Sequence, residues 1–249
     1  MERPAGTERP RGVAEPAQVS CPDGKQRAES AILLLVLVLF DLDGTLTDPY
    51  EGITESVAYA LDSMGLPPLD SERRRAFIGP PLWDSFTALG LGPAAVQEAV
   101  ALYRERFTQQ GIFENRVYDG VAEALAELSG RSVQMAVATS KPTAFAERII
   151  EHFGLEGFFD VVGGATLDGT RRHKADIIRL TLSALAPLSS QAVMVGDRAQ
   201  DVLGARAHGL PSIGVRWGYA EPGELEAAGA QQIVDAPAEL VSAVTGRCG

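Results

Sequence analysis

The sequence predicts an α/β protein, with a doubly wound (Rossmann-like) parallel sheet as its core and an inserted α-helical cap domain. The first observation is an unbroken apolar run at residues 31–40, AILLLVLVLF, which is typical of a strand buried on both faces. The second is the alternation of short apolar runs with helix-spaced segments beyond residue 120. The third is a stretch, residues 53–116, with helical spacing and no convincing strand.

The apolar run at residues 31–40 has two other interpretations, and both are weaker. A membrane-spanning helix needs about 20 apolar residues, twice what this run offers. A signal peptide fits the length and the preceding Lys25 and Arg27. However, Asp41-Leu42-Asp43-Gly44 follows where a cleavage site would need small residues. A buried strand therefore fits best.

The elements after this run follow from apolar spacing and from helix-stop residues. Helices are predicted at residues 52–64 and 93–109, the second with Pro93 in its first turn. Gly209 is a helix-ending glycine. After residue 120 we expect helix 121–128, strand 133–138, helix 142–154, strand 159–162, helix 175–185, strand 192–195, helix 201–208, strand 212–215, helix 222–228, strand 232–234 and helix 238–244.

These elements predict three regions. Residues 31–52 and 117–249 would form the α/β core, and residues 53–116 the helical cap. Residues 1–30 are rich in Arg, Glu, Pro, Gly and Ala without apolar periodicity. This composition predicts a disordered tail, or an extension from a misassigned start codon.

Charge and cysteine content narrow the possible partners. The 249 residues contain 22 Lys and Arg against 33 Asp and Glu, a net charge of −11, which disfavours binding to nucleic acid or to a membrane surface. Cys21 and Cys248 lie outside any CxxC pair, so neither zinc binding nor a disulfide framework is expected. Two free thiols predict a cytoplasmic protein.

Polar side chains follow several predicted strands, at the edge where parallel sheets bind ligands. Three carboxylates crowded there would repel one another without a cation, and hard oxygen ligands favour Mg²⁺. Hydroxyls, a lysine and Mg²⁺ neutralise a phosphoryl group, while a carboxylate can attack phosphorus and a neighbouring acid can protonate the leaving oxygen. The residues are Asp41 and Asp43 after the first strand, Thr139 and Ser140 after the second, Lys174 at a helix start, and Asp197 and Asp201 after a later strand.

Competing motifs are absent or incomplete. An EF-hand calcium loop beginning at Asp41 would need Asp or Asn at its fifth position and Glu at its twelfth, where Thr45 and Gly52 stand. A capped turn alone could also produce the Asp41–Thr45 pattern, but not the other segments at the same edge. The sequence has no phosphate-binding loop, dinucleotide fingerprint, serine-hydrolase elbow or HExxH motif.

Four segments, in order, resemble the signatures of the haloacid dehalogenase superfamily. They are FDLDGTLTD at residues 40–48, VATSKP at 137–142, Lys174, and GDRAQD at 196–201. The resemblance extends from about residue 36 to the C-terminus and implies the α/β core that the periodicity predicts. A helical insert between the first two signatures is similar to the small cap of phosphoglycolate phosphatases and β-phosphoglucomutases.

The resemblance also implies roles for individual residues. Asp41 would be the nucleophile and Asp43 the general acid and base, while Thr139, Ser140 and Lys174 would bind the phosphoryl group. Mg²⁺ would be held by Asp41, the Asp43 carbonyl and Asp197, with Asp201 as a supporting acid. The expected activity is Mg²⁺-dependent hydrolysis of small phosphomonoesters through an aspartyl-phosphate, by a monomer or homodimer.

The leaving group is not specified by the sequence. The segments FIGPPL at 77–82, FENRVY at 113–118 and GGATLDG at 163–169 resemble a 5′-nucleotidase-like branch. Phosphoglycolate phosphatase and, less favoured, sugar phosphomutase are the alternatives; the helical insert argues against a non-catalytic phospho-receiver. Arg104 and Arg106 point to different sides of one helix, so at most one is expected to reach a ligand. Phe77 and Trp83 would either stack on a base or pack in the core.

Overall fold

The structure is a computed structural model that describes residues 36–185 and 191–246. The predicted tail at residues 1–30 and the first half of the apolar run, residues 31–35, lie outside this range. Its eight strands, in chain order, are β1 (Val36–Phe40), β2 (Thr47–Asp48), β3 (Arg116–Val117), β4 (Gln134–Pro142), β5 (Val161–Ala165), β6 (Gln191–Gly196), β7 (Ser212–Val215) and β8 (Gln232–Val234).

Ten α-helices surround these strands in the described ranges. They are α1 (Tyr50–Ser63), α2 (Ser71–Arg75), α3 (Leu82–Ala88), α4 (Pro93–Arg106), α5 (Val121–Gly130), α6 (Thr143–His152), α7 (Lys174–Ala184), α8 (Ala199–Arg206), α9 (Glu224–Ala228) and α10 (Leu240–Thr245). A π-helical turn, Phe107–Gly111, extends α4, and short 3₁₀ turns cover Glu156–Phe158 and Pro237–Glu239.

Six strands form one parallel sheet in the order β5-β4-β1-β6-β7-β8. The central strand β1 is fully buried because its side chains alternate between two apolar layers. Val38 and Phe40 join one hydrophobic cluster, and Leu37 and Leu39 join another on the opposite face. The predicted doubly wound α/β fold is confirmed.

The chain changes direction across the sheet at β1, and this places the functional edge. It runs from β1 to β4 on one side, and later returns to β6 on the other side. The carboxyl end of β1 therefore lies at a topological switch point, where α/β sheets form a crevice for ligands. Asp41 follows directly, and its backbone N–H donates to the Val195 carbonyl at the end of β6, at 2.9 Å.

Most element boundaries shift from the prediction by a few residues. Strands β7 and β8 have the predicted limits. The strand predicted at 159–162 begins at Val161 instead: a 3₁₀ turn covers Glu156–Phe158, and the two residues after it link the turn to the strand. Helix α8 begins at Ala199, two residues before the prediction, because the Asp201 side chain accepts from the Arg198 N–H and caps the first turn.

The antiparallel pair β2–β3 was not predicted. Each strand has only two residues, and Thr47 and Asp48 pair with Val117 and Arg116. A segment this short shows no period-2 alternation, so periodicity cannot reveal it. One strand of the pair comes just before the mainly helical residues 53–115, and the other comes just after them. Their pairing thus connects the point where the chain leaves the sheet to the point where it returns. The division into core and cap itself stays a prediction.

Helices α1 and α4 pack closely, and a pair of glycines makes part of this approach possible. A Cβ on Gly52 would lie 2.1 Å from the Gly111 carbonyl oxygen, in the π-helical turn. The Gly52 N–H also donates to the Glu114 carbonyl at 3.0 Å. In the described part of the chain, no helix has the length and apolarity needed to cross a membrane.

We expect Gly52→Ala to lower the free energy of unfolding by about 1–3 kcal/mol, because the added methyl group overlaps backbone atoms that have little room to move. Gly130→Ala is the matched control, since a Cβ there meets nothing within 4 Å. Urea unfolding measures both variants. An equal effect of the two substitutions would contradict the close approach.

Candidate active site

The loop after β1 presents two buried carboxylates. Asp41 is 3% exposed and Asp43 is 7% exposed. The Asp41 carboxylate accepts from the Leu42 N–H at 2.8 Å. Gly44 has a φ of +83°, a left-handed conformation that suits glycine, and it turns the chain back so that its N–H donates to the Thr47 carbonyl. The turn thus fixes both acids at the carboxyl edge of the sheet.

Lys174, the first residue of α7, connects two of the predicted acids. Its Nζ lies 2.9 Å from Asp41 Oδ1 and 2.7 Å from Asp201 Oδ1, and it donates to the Ala138 carbonyl at 3.0 Å. Burial alone would lower the pKa of Lys174, but the carboxylates of Asp201 and Asp41 outweigh it and raise the pKa above its usual range. The ammonium group therefore stays charged between the two acids.

Asp197 is completely buried at the end of β6. Its carboxylate accepts from the Thr45 hydroxyl at 3.3 Å and from the Tyr219 N–H at 2.8 Å. Two glycines leave room for it: a Cβ on Gly44 would lie 2.2 Å from Oδ2, and one on Gly218 would lie 2.4 Å from the same atom. Backbone without side chains on two sides thus creates the space for this carboxylate.

Asp41, Asp197 and Asp201 form a cluster in which one carboxylate oxygen from each residue lies within 4.8 Å of the other two. Burial and the neighbouring carboxylates Asp201 and Asp41 raise the pKa of Asp197 well above its ordinary value. Burial also raises the pKa of Asp201 to about 6, against the opposing influence of Lys174. Three carboxylates and one ammonium would carry two negative charges if all were ionised, so the cluster suits a divalent cation. Its all-oxygen donor set fits Mg²⁺.

A cleft opens above these acids, with about 690 Å³ of space including its mouth. The predicted residues Asp41, Asp43, Thr139 and Ser140 line it. Asp197, Asp201 and Lys174 are not among its lining residues; they contact or adjoin Asp41 in the layer beneath. The facing wall comes from the predicted cap and includes Phe77, Gly79, Pro80, Pro81, Trp83 and Arg104.

Lys141 is a polar residue of this cleft that the sequence analysis did not select. Its Nζ lies 2.5 Å from Asp43 Oδ2 and 4.7 Å from the centre of the Phe107 ring. Burial raises the pKa of Asp43, and the Lys141 charge opposes this without cancelling it. The sequence feature that could have identified Lys141 is its position, two residues after Thr139 at the end of a core strand.

The structure shows which of the selected residues in the predicted cap reach the cleft. Phe77 packs edge-on against Phe86, with ring centres 5.1 Å apart, and also borders the cleft. The Gly79-Pro80-Pro81 turn also lines the cleft. Arg106 turns away to pair with Glu114, while Arg104 lines the cleft.

Comparison with known proteins assigns the chain to a family. The family model for haloacid dehalogenase-like hydrolases matches residues 38–215. This range contains most of β1, all of the sheet strands β4, β5, β6 and β7, and every predicted site residue. The chain belongs to the haloacid dehalogenase-like hydrolase family, as the sequence motifs indicated.

The names of three relatives all describe enzymes that act on phosphate groups. A 5′-nucleotidase of Pseudomonas aeruginosa is 47% identical over 191 residues, covering 76% of this chain and 86% of that protein. Tyrosine-protein kinase PtkA of Mycobacterium tuberculosis is 44% identical over 183 residues, covering 74% of this chain and 62% of PtkA. A phosphoglycolate phosphatase of Rhodospirillum rubrum is 33% identical over 193 residues, with coverage of 73% and 80%.

A solved structure gives the same result for the fold. The crystal structure of a predicted phosphatase from Clostridium acetobutylicum superposes with a TM-score of 0.82 at 43% identity, covering 85% of this chain and 99% of that one. At the level of reaction class, the chain is a phosphatase of this family, and the predicted enzyme class is confirmed.

We expect Lys174→Met to lower the free energy of unfolding by about 3–5 kcal/mol in metal-free buffer, because it leaves Asp41 and Asp201 buried without their cation. Arg131→Met is the control: it removes an exposed helical pair with Glu127 and should cost less than about 0.5 kcal/mol. Chemical denaturation followed by circular dichroism compares them. Similar losses would show that the buried lysine does not balance these charges.

Proposed function

We propose that the protein hydrolyses small phosphomonoesters with Mg²⁺ as cofactor, through a phosphorylated Asp41. The observation that carries this proposal is the pair of buried carboxylates, Asp41 and Asp43, side by side in one cleft but in different charge environments. Asp41 contacts Lys174 and belongs to the three-acid cluster, whereas Asp43 contacts Lys141. Two acids with different surroundings can perform different steps.

Binding of the phosphoryl group is assigned to Thr139, Ser140 and Lys174. Thr139 is buried at the edge of the cleft, and its hydroxyl accepts from the Lys141 N–H at 3.3 Å, so the hydroxyl proton is free to donate elsewhere. Lys174 holds its positive charge 2.9 Å from a carboxylate oxygen of Asp41, the proposed nucleophile. These groups neutralise negative charge on the phosphoryl oxygens as the reaction proceeds.

In the first step, a carboxylate oxygen of Asp41 attacks phosphorus, the bond from phosphorus to the ester oxygen breaks, and Asp43 gives its proton to the departing alcohol. In the second step, Asp43 takes a proton from water as the water oxygen attacks phosphorus, and Asp41 and inorganic phosphate are released. A raised pKa at Asp43 favours the protonated form that the first step requires. Proton transfer of this kind contributes roughly 10²–10⁴-fold to a rate.

Mg²⁺ would be held by Asp41, the Asp43 carbonyl and Asp197, with Asp201 as a supporting acid that also positions Lys174. When bound, the ion supplies positive charge next to the phosphoryl oxygens and reduces the repulsion between an anionic substrate and the acids. The geometric support is the three-acid cluster and its excess negative charge.

The substrates proposed first are nucleoside 5′-monophosphates, in line with the name of the Pseudomonas relative, and phosphoglycolate is proposed second. The residues predicted to form the cap, 53–116, would select among leaving groups because several of them line the cleft. The partner proposed is thus a small phosphate ester, and the protein would act as a monomer or homodimer. A sugar phosphomutase would use the same two acids and would need a bisphosphate activator.

We expect Asp41→Asn to abolish phosphate release, because the amide cannot serve as the nucleophile, while the fold is retained. Asp176→Asn is the control, since Asp176 is an exposed acid on α7. The assay measures the phosphate released from nucleotides, sugar phosphates and phosphoglycolate. Transfer of phosphate to a tyrosine peptide is measured separately. An active, folded Asn variant would contradict the assigned nucleophile.

Removal of the metal should stop turnover reversibly. We expect excess EDTA to eliminate phosphate release and added Mg²⁺ to restore it, and we expect Mg²⁺ to raise the melting temperature of the metal-free protein. Asp197→Asn should lose most of this thermal shift, whereas Asp168→Asn, at an exposed position, should keep it. Full activity in chelator would remove the metal from the mechanism.

A further inference from the structure

Arg104, on the cap side of the cleft, is a half-buried cation without a counterion. It lines the same cleft as Asp41, Asp43 and Thr139. Its Nε is shielded from solvent and has no hydrogen-bond acceptor. Burial lowers its pKa below the usual arginine value. Across residues 36–185 and 191–246, no carboxylate lies within ion-pair distance of its guanidinium group.

The neighbouring arginines differ from Arg104 in this respect. Arg172, which also lines the cleft, pairs with Asp84 at 3.0 Å and donates to the Gly169 carbonyl at 3.0 Å. Arg106, two residues further along α4, pairs with Glu114 at 2.7 Å. Acidic residues outnumber basic ones in this protein, which has a net charge of −11. The lack of an acid partner in the described part of the chain therefore distinguishes Arg104 from Arg106 and Arg172.

Trp83 holds the guanidinium group of Arg104 in place. The guanidinium carbon lies 5.8 Å from the centre of the indole ring, within the range of a cation–π contact. Trp83 in turn packs against the backbone of Gly169, where a Cβ would lie 2.4 Å from the indole nitrogen. The orientation of Arg104 is thus supported by an aromatic ring, while its guanidinium group donates no hydrogen bond to the described part of the chain.

We propose that Arg104 determines leaving-group specificity by donating hydrogen bonds to an oxygen acceptor on the alcohol part of the substrate. This inference rests on the proposed phosphatase reaction and defines its substrate class: phosphomonoesters whose leaving group carries a carboxylate or a carbonyl oxygen. A carboxylate satisfies both the free donors and the uncompensated charge, so it gains more from Arg104 than a neutral carbonyl does.

Three substrates separate these contributions. Phosphoglycolate carries a carboxylate, uridine 5′-monophosphate carries base carbonyls, and propyl phosphate carries no acceptor on its leaving group. The measured quantity is the ratio of kcat/KM for each acceptor substrate to kcat/KM for propyl phosphate. In Arg104→Gln we expect this ratio to fall about 10- to 100-fold for phosphoglycolate and about 2- to 10-fold for the nucleotide, mainly through KM.

Two further variants complete the test. Arg104→Lys keeps the charge and should recover part of the loss for phosphoglycolate but little for the nucleotide. Arg73→Gln removes the same charge from an exposed position in the cap region and should leave both ratios as in the wild type. Circular dichroism spectra and melting temperatures establish that each variant is folded.

The outcomes distinguish the inference from the function on which it rests. Wild-type protein that releases phosphate but shows no preference for either acceptor substrate would overturn the role of Arg104. Unchanged ratios in folded Arg104→Gln, or the same fall in Arg73→Gln, would also overturn it. No phosphate release from any of the three substrates by the wild type with Mg²⁺ would instead overturn the proposed function itself.

Discussion

The ion pairs that Lys174 makes with Asp41 and Asp201 are the interaction on which the rest of the site depends. Each carboxylate alone would be costly to bury, because desolvation strongly disfavours an isolated charge. The lysine reduces this cost for two acids at once, since its Nζ lies within 3 Å of both. The end of β1, a fully buried strand, can therefore carry a buried acid at the cleft.

The sheet and the site support one another. Parallel pairing of β1 with both β4 and β6 brings residues near positions 41, 139 and 197 to one edge, although they are distant in sequence. Helix α7 contributes Lys174 from its first residue, and α8 contributes Asp201 from its first turn. Contact also extends from the site to the predicted cap, because the Arg198 side chain donates to the Ile78 carbonyl at 2.6 Å. The residue that follows Asp197 therefore contacts Ile78, which lies in the predicted cap.

Much of this arrangement was predictable from the sequence, for a physical reason. Buried parallel strands give continuous apolar runs, and ligands bind where such strands end, so Asp41, Thr139 and Asp197 could be selected from their positions. The strand pair β2–β3 was not predictable, since two residues carry no periodicity. Lys141 was missed because its importance comes from a contact with Asp43, 98 residues away, that local pattern does not encode. The assignment of roles to Asp41, Asp43, Thr139, Ser140, Lys174, Asp197 and Asp201 remains a prediction.

The two glycines beside Asp197 have a consequence for which acids this position can accommodate. Gly44 and Gly218 enclose the carboxylate so closely that the pocket accepts one side-chain length. A glutamate would add a methylene group where backbone already stands, and would have to push one of the two loops outward. The shape of this pocket therefore selects aspartate over glutamate at position 197, even though the two side chains carry the same charge.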